Sequence, residues 1–431
     1  MQHAALVSGK LNKRCMLLVC LALGAGLLSS TLAACGSPPA PDAAQSPSAQ
    51  ALQVFLLDPA ILARTKQSSP ENATLRASLQ RLEYDAEKLL TRQPVSVVDK
   101  AQVPPSGDKH DYLSLSIYAW PDPTKPDGLP YIIRDGQINP EVNTIPDKAN
   151  LDEMISTVYT LAVAYYFSDT SAYAAKAAEF LRVWFLNPQT AMNPNLNYAQ
   201  QVRGKDADSP GGIIDAADMP LVMDAIGLLR SSTAWSAQDQ QGMEGWVRQY
   251  LDWLLHSPSG QQEAQAVNNH STWYDGQIAS LALFVGQKTL AIDVLQASTA
   301  KHIDGHIQAD GGQPYELKRT KSWDYSVYNL QALFNLASLG DRLGIDLWHE
   351  QNAQGAGLQT ALDFVLPAAL NQQSWPYPQI VPIQTSSLIP LLHLATLHYG
   401  QSPYVADEQT LEGDQAMTDR DNLLYGSGSS S

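Results

Sequence analysis

The stretch AVNNHSTWYDGQ, residues 266–277, places two asparagines, a histidine, a tryptophan and a tyrosine where a helical pattern begins. Asn268 or Asn269 suits the cap of that helix, because an asparagine side chain accepts from the orphan amides of a first turn. If the helix includes His270, then His270, Tyr274 and Gln277 stand at i, i+4 and i+7 on one face. Such a face joins an imidazole, a phenol and an amide, groups able to move protons and to hold an oxyanion. The plainer alternative is a structural histidine beside a helix start. A second cluster, YELKRTKSWDYSVYNL at 315–330, gathers Lys318, Arg319 and Lys321 into the densest basic spot after the N-terminal segment. Ser322 suits a cap there, with Arg319 in the preceding loop and Tyr325 in the first turn, so both can reach one cavity at a helix N-terminus. Helix N-termini favour anions, and a carboxylate-bearing guest is the natural ligand. The alternative is a solvated basic turn over a buried Tyr325.

The elements that must position these groups are helices. From residue 151 onward apolar residues recur at helical spacing in segment after segment, among them LDEMISTVYTLAVAYYF, QQGMEGWVRQYLDWLL and SSLIPLLHLATLHYG, and an earlier run, ENATLRASLQRLEYDAEKLLT, fits the same scheme. Gly, Pro, Asn and Ser fill the gaps between them. No comparable period-two runs appear, so the spacing predicts an all-α body. Helices of similar length joined by loops suggest hairpins around a common axis, an α/α toroid or incomplete α/α barrel in one domain, with an irregular bundle as the alternative. Residues 111–141 break the rhythm: prolines at 121, 123, 126, 130 and 140 force extended chain and turns. Tyr118, Trp120 and Tyr131 give that loop rings, and Lys125 and Arg134 give it positive charge. Residues 187–204 form a second such segment, with Asn197, Tyr198 and Gln200 clustered before the next helix.

The first 35 residues have a basic start and an apolar run ending in LAAC, the layout of an export signal with a lipobox at Cys35. Residues 36–55 read as a Pro/Ser/Ala-rich tether, 56–410 as the α/α-toroid domain and 411–431 as a polar, flexible tail. Cys15, Cys20 and Cys35 are the only cysteines. Once the signal is removed and Cys35 carries lipid, no disulfide, thiol nucleophile or thiolate metal site remains. The expected location is the bacterial envelope, lipid-anchored in the outer membrane and facing the periplasm or the cell surface. A net charge of −16 argues against nucleic acid as a partner. It does not exclude a polyanion, because fields are screened beyond about 8 Å at physiological salt and only the local patch matters.

NNHSTWYDGQ, the proline-rich segment at 111–141, MNPNLNYAQ and ELKRTKSWDYSVYNL together resemble the alginate lyase family of bacterial and fungal polysaccharide lyases, related to polysaccharide lyase families 5 and 38. The resemblance runs from about residue 111 to 330. It implies an α/α toroid with a groove for an acidic polysaccharide, and a lyase that cuts a uronan, mannuronate-rich alginate or glucuronan first, by β-elimination across C5 and C4. By matching motifs, Asn269 and His270 would be the family's Asn–His pair, Arg319 its arginine and Tyr325 its tyrosine. Asn269, His270 and Arg319 would neutralise the sugar carboxylate so that C5 can release its proton. Tyr325, its pKa lowered by neighbouring cations, would act as base and then as acid; for the opposite C5 configuration His270 would be the base. Candidate substrate contacts are Tyr118, Trp120, Lys125, Arg134, Asn197, Tyr198, Gln200, Trp273, Tyr274, Gln277, Lys318 and Lys321. No cofactor is implied, and a monomer is expected.

Two other readings stand beside it. An inverting glycoside hydrolase needs an acid and a base carboxylate about 6.5–9.5 Å apart. Asp152, Glu153, Asp215, Asp218, Asp275 and Glu316 are candidates, but the sequence singles out no pair. A surface lipoprotein that captures acidic glycans without cutting them is the third reading. No His/Asp/Glu set shows metal-ligand spacing; His302, Asp304, His306 and Asp310 in KHIDGHIQADGG read as a polar turn, and no metal is expected.

Overall fold

A computed structural model describes residues 52–205, 210–400 and 404–426. The signal segment, the lipobox Cys35 and the tether as far as residue 51 lie outside the described residues. Sixteen helical segments are named here: α1 (Pro59–Ser68), α2 (Ala73–Leu89), α3 (Asp147–Ser168), α4 (Ser171–Leu181), α5 (Met219–Leu229), α6 (Ala237–His256), α7 (Pro258–Glu263), α8 (Asn269–Phe284), α9 (Lys288–Ser298), the single turn α10 (Asp304–His306), α11 (Pro314–Leu317), α12 (Ser322–Asp341), α13 (Leu358–Ala369), α14 (Ile389–Tyr399), α15 (Tyr404–Glu412) and α16 (Asp421–Tyr425).

Their burial sorts them into two layers. In α8 nearly every residue from Asn269 to Leu283 is buried, and α3, α5 and α12 are buried almost all round. Helices buried on every side belong inside. Outer helices carry one apolar stripe: α2 buries Leu75, Leu82 and Ala86, and α13 buries Leu358, Ala361, Leu362 and Val365. The inner helices α3, α5, α8, α12 and α14 follow one another side by side; α4 covers α3, α6 and α9 cover α8, α13 covers α12 and α15 covers α14. The short α16 stands between α14 and the pair α1 and α2, where the ring does not close on its own pattern. This is the incomplete α/α toroid that the helical spacing predicts.

Both ends of the domain are more firmly built than the sequence suggests. Backbone N–H groups of Phe55, Leu56 and Leu57 donate to the buried carboxylate of Asp224 on α5, at 2.6–3.3 Å. Gly227 allows this docking, since a Cβ there would fall 1.9 Å from the Gln53 carbonyl oxygen. The tether therefore ends before residue 53, not at 55. The expected flexible tail is also corrected: residues 411–426 complete α15, form a 3-10 turn and then α16, with Leu423 and Leu424 in the core and the Leu423 carbonyl accepting from Thr65 Oγ at 2.8 Å. Two adjacent leucines among polar residues suffice to seat a short helix once a groove between α2 and α14 receives them.

The proline-rich loop forms two small sheets. In one, β2 (Ala119–Trp120) pairs antiparallel with β3 (Ile132–Ile133); in the other, β1 (Leu113–Leu115) pairs parallel with β4 (Tyr198–Gln201). The two segments that break the helical rhythm thus support each other. Gly212 lets the chain leading into α5 pass against β4, where a Cβ would stand 2.6 Å from the Ala199 carbonyl oxygen.

Candidate active site

Residues 257–270 make a sharp corner. Ser257 caps α7, its hydroxyl accepting from the Gly260 amide at 3.0 Å, and α7 ends on the buried Glu263. Neither asparagine caps α8 with its own side chain. Asn268 has the extended backbone of a cap without the side-chain bond. The buried carboxylate of Glu316, from α11, takes that role: Oε1 accepts from the Asn269 amide at 2.7 Å and Oε2 from Asn269 Nδ2 at 2.8 Å. A carboxylate is the right partner for the exposed amides and positive end of a helix N-terminus.

Next to it, His270 Nδ1 lies 2.7 Å from Glu263 Oε1. With Nδ1–H donated to that carboxylate, Nε2 is left as the free acceptor on a ring that is about one quarter exposed. Glu316 connects this corner to the second cluster, since its charge is felt by both His270 and Arg319. Burial raises the Glu316 pKa, while the two Asn269 bonds and the nearby cations work against that rise.

Arg319 is held on two sides. Its Nη2 and Nε donate to Asp135 Oδ1 at 2.6 and 3.1 Å, while Asp135 Oδ2 accepts from the Thr320 amide and hydroxyl at 2.8 and 3.0 Å. The Arg319 guanidinium then lies 3.6 Å from the centroid of the Tyr325 ring. Tyr325 donates its hydroxyl to Tyr118 at 2.8 Å, and Lys321 Nζ stands 5.9 Å from the Tyr118 ring. The proline-rich loop therefore supplies Tyr118 and Asp135. Burial pushes the Tyr325 phenol well above its ordinary value; Arg319 opposes this and the Tyr118 bond adds to it. This corrects the expectation of a lowered pKa, because loss of hydration outweighs one stacked cation. Ser322 does not cap α12 either: its hydroxyl donates to the Pro378 carbonyl at 2.6 Å.

Asn269, His270, Arg319 and Tyr325 thus belong to one connected cluster. The candidate substrate contacts divide. Trp120 and Arg134 stack at 5.4 Å on the loop that carries Tyr118, with the Arg134 amide donating to the Tyr118 carbonyl. Trp273 rests on Tyr328, their centroids 4.8 Å apart, and lines a cavity of about 460 Å³ inside the helix ring with Tyr159, Asp218, Gln331 and Arg420. Tyr274 and Gln277 are corrected to core residues. The Tyr274 hydroxyl donates to the Leu254 carbonyl at 2.8 Å, and Gln277 pairs with Tyr250 and the Ile213 carbonyl. The shared helix face exists, but beyond the first turn of an inner helix it points into protein.

Other contacts serve the scaffold. Asn197 accepts from Trp253 Nε1 at 2.8 Å, Tyr198 packs on Leu113, Leu115 and Ile145, and Gln200 donates to Asp215 at 2.8 Å. Lys318 lies 5.4 Å from the Tyr315 ring, and Lys125 is an exposed turn residue.

Most of the carboxylates weighed for a hydrolase are engaged elsewhere, Glu316 with Asn269, while Asp218 lines the cavity beside Trp273. Asp152 pairs with Lys148, Glu153 with Arg92, Asp275 with Lys301 and His302, and Asp215 is buried among Tyr112, Ser114 and Gln200. His302 and His306 also belong to this buried network, the ring of His302 bonded to Asp275. Sequence reading passed over Asp135 and Glu263 and weighed Glu316 only as one of a hydrolase's possible acid or base carboxylates. Asp135 lay beside Arg134 in a recognised segment; Glu263, seven residues before His270, carried no signal.

The model of the alginate lyase family matches residues 96–375. The crystal structure of an alginate lyase from Bacteroides ovatus is 35% identical, covering 87% of this chain and 99% of that one with a TM-score of 0.83. Alginate lyase A1-III from Sphingomonas species A1 is 16% identical over 84% of this chain and 98% of its own, with a TM-score of 0.50. A variant of A1-III complexed with tetrasaccharide gives 15% identity over 84% and 97%, with a TM-score of 0.52, and these two show the shared fold alone. No curated protein matches the chain. Because the family model spans well over half of the sequence and the Bacteroides ovatus structure follows nearly the whole domain, this protein is a polysaccharide lyase belonging to the alginate lyase family.

Proposed function

We propose that the enzyme cleaves alginate, mannuronate-rich stretches first, by β-elimination, leaving an unsaturated uronate on the new non-reducing end. One observation carries the reading. Pairs of contacts, Glu263–His270, Asn269–Glu316, Arg319–Tyr325 and Tyr325–Tyr118, with Asn269 next to His270 and the Arg319 amide donating to the Glu316 carbonyl at 2.9 Å, support a site that combines an imidazole, an amide, a guanidinium and a phenol. Asn269, His270 and Arg319 would receive the sugar carboxylate and spread the charge that develops when C5 loses its proton. In mannuronate the C5 hydrogen and the C4 oxygen share a face, so Tyr325 alone can serve both steps once its own proton has gone to solvent, a loss that the stacked Arg319 favours and burial opposes; the phenolate then takes the C5 proton and returns it to the departing oxygen.

A second assignment is favoured by specific geometry. Glu263 leaves His270 Nε2 free to accept, and burial keeps the Tyr325 proton in place. His270 would then be the base and Tyr325 the acid, which suits the opposite C5 configuration, that of guluronate. The test is a panel of polymannuronate, polyguluronate and glucuronan, followed by the ultraviolet absorbance of the conjugated product. Tyr325→Phe should abolish turnover on every substrate, and His270→Ala should cost most on polyguluronate. Full turnover by Tyr325→Phe on polymannuronate would overturn the reading. We further infer that the enzyme works in the bacterial envelope, held by lipid at Cys35, so that Cys35→Ala should release it into the soluble fraction.

A further inference from the structure

Where α14 meets α15, three ionisable side chains are sealed from solvent together. His393 is 2% exposed, Glu408 5% and Glu412 7%. Glu408 and Glu412 are one turn apart, so both carboxylates leave the same face of α15. The imidazole lies between them, Nδ1 at 3.5 Å from Glu408 Oε2 and Nε2 at 3.5 Å from Glu412 Oε1. One donor atom from each residue lies within 4.8 Å of the other two.

His393 Nε2, Glu408 Oε2 and Glu412 Oε1 are all buried and make no hydrogen bond. Buried polar atoms nearly always find a partner. The spacing tells what is wanted. A single ion takes only one ring nitrogen, so one of the two 3.5 Å separations, long for a hydrogen bond, can be an edge of its ligand set; the three donor atoms chosen one per residue lie within 4.8 Å of one another, and a small rotation of a glutamate side chain closes that to the edge of roughly 3.4 Å expected around an ion bonded at about 2.0–2.2 Å.

We propose that His393, Glu408 and Glu412 bind a divalent first-row transition ion, of which zinc is the fitting example, and that the ion clamps α15 to α14. An imidazole among the donors selects this class over calcium and magnesium, which prefer all-oxygen shells. The residues belong to α14 and α15, whereas the catalytic cluster is carried by α7, α8, α11, α12 and the proline-rich loop. The clamp is therefore structural, and it holds down the segment that bridges the open side of the toroid.

The test uses the full chain, stripped with EDTA, titrated with Zn²⁺ by calorimetry and followed by thermal melting. One tight equivalent is expected, with a rise in Tm that grows with free Zn²⁺ as mass action requires. Glu412→Gln keeps the side-chain size and removes a charged donor. It should weaken Zn²⁺ binding by ~10²-fold or more, beyond the loss from a missing supporting partner, abolish the Tm rise and leave lyase turnover unchanged. Exposed imidazoles such as His256 and His349 would bind Zn²⁺ equally in both proteins. Equal titrations of wild type and variant, or no tight equivalent in wild type, overturn the proposal. If Glu412→Gln does not fold, the Co²⁺-loaded wild type decides. Strong four-coordinate d–d absorption supports the site; a weak six-coordinate spectrum overturns it.

Discussion

The Arg319 guanidinium lies over the Tyr325 ring at 3.6 Å while both of its bonded donors face Asp135. A cation stacked on the face of a phenol favours the phenolate, but it leaves the hydroxyl edge free to meet Tyr118 and a sugar. Burial still wins, so the resting phenol keeps its proton. Under the proposed assignment of Tyr325 as acid, the proton it would donate is already in place.

Tyr118→Phe should shift the pH dependence of turnover. The Tyr118 bond is one of the causes that raise the Tyr325 pKa. Without it the phenol loses its proton at lower pH, and the alkaline limb of the kcat/KM profile should move down. An unmoved limb would separate Tyr118 from the chemistry.

Glu263→Gln keeps the shape of the His270 partner but removes its charge and frees the ring to flip tautomer. By analogy with other carboxylate–imidazole pairs, kcat on alginate should fall by about 10²–10⁴-fold with KM little changed. Steady-state kinetics beside a far-ultraviolet circular dichroism control measures this.

Leu423→Ala tests whether the C-terminal segment is part of the core. Leu423 is fully buried, and such a truncation typically costs about 2–5 kcal/mol. A clear fall in Tm is expected; an unchanged Tm would mean that α16 contributes nothing to the fold.

Asp239 gives a pH-dependent stability. Its bond to Arg182 holds the carboxyl at about 2, against burial. A depressed folded-state pKa stabilises above the unfolded value near 4 and loses that contribution as pH falls toward 2. Asp239→Asn should therefore lower stability by roughly 1–2 kcal/mol at neutral pH, and the gap to wild type should narrow below about pH 4, as read by urea unfolding at several pH values.

The sequence by itself determined the helices and which four residues are the candidates for the chemistry. Periodicity is local, and an apolar pattern such as that of α2 or α13 can bury in one way only, so the toroid was legible. The pairing of Asn269 with His270 and the basic turn before Tyr325 are likewise carried by neighbouring residues. What supports them is not. Asp135 reaches Arg319 across 184 positions and Glu316 reaches Asn269 across 47, distances over which no spacing rule operates. Tyr274 and Gln277 share a helix face with His270, yet only the packing of an inner helix decides that this face meets solvent at its first turn and protein thereafter. The last segment shows the same limit: Leu423, Leu424 and two glutamates in a polar stretch became structure only because α1, α2 and α14 leave a groove for them. Side-chain type is written in the chain, but dehydration, and with it the protonation of Tyr325, is a property of everything packed around it.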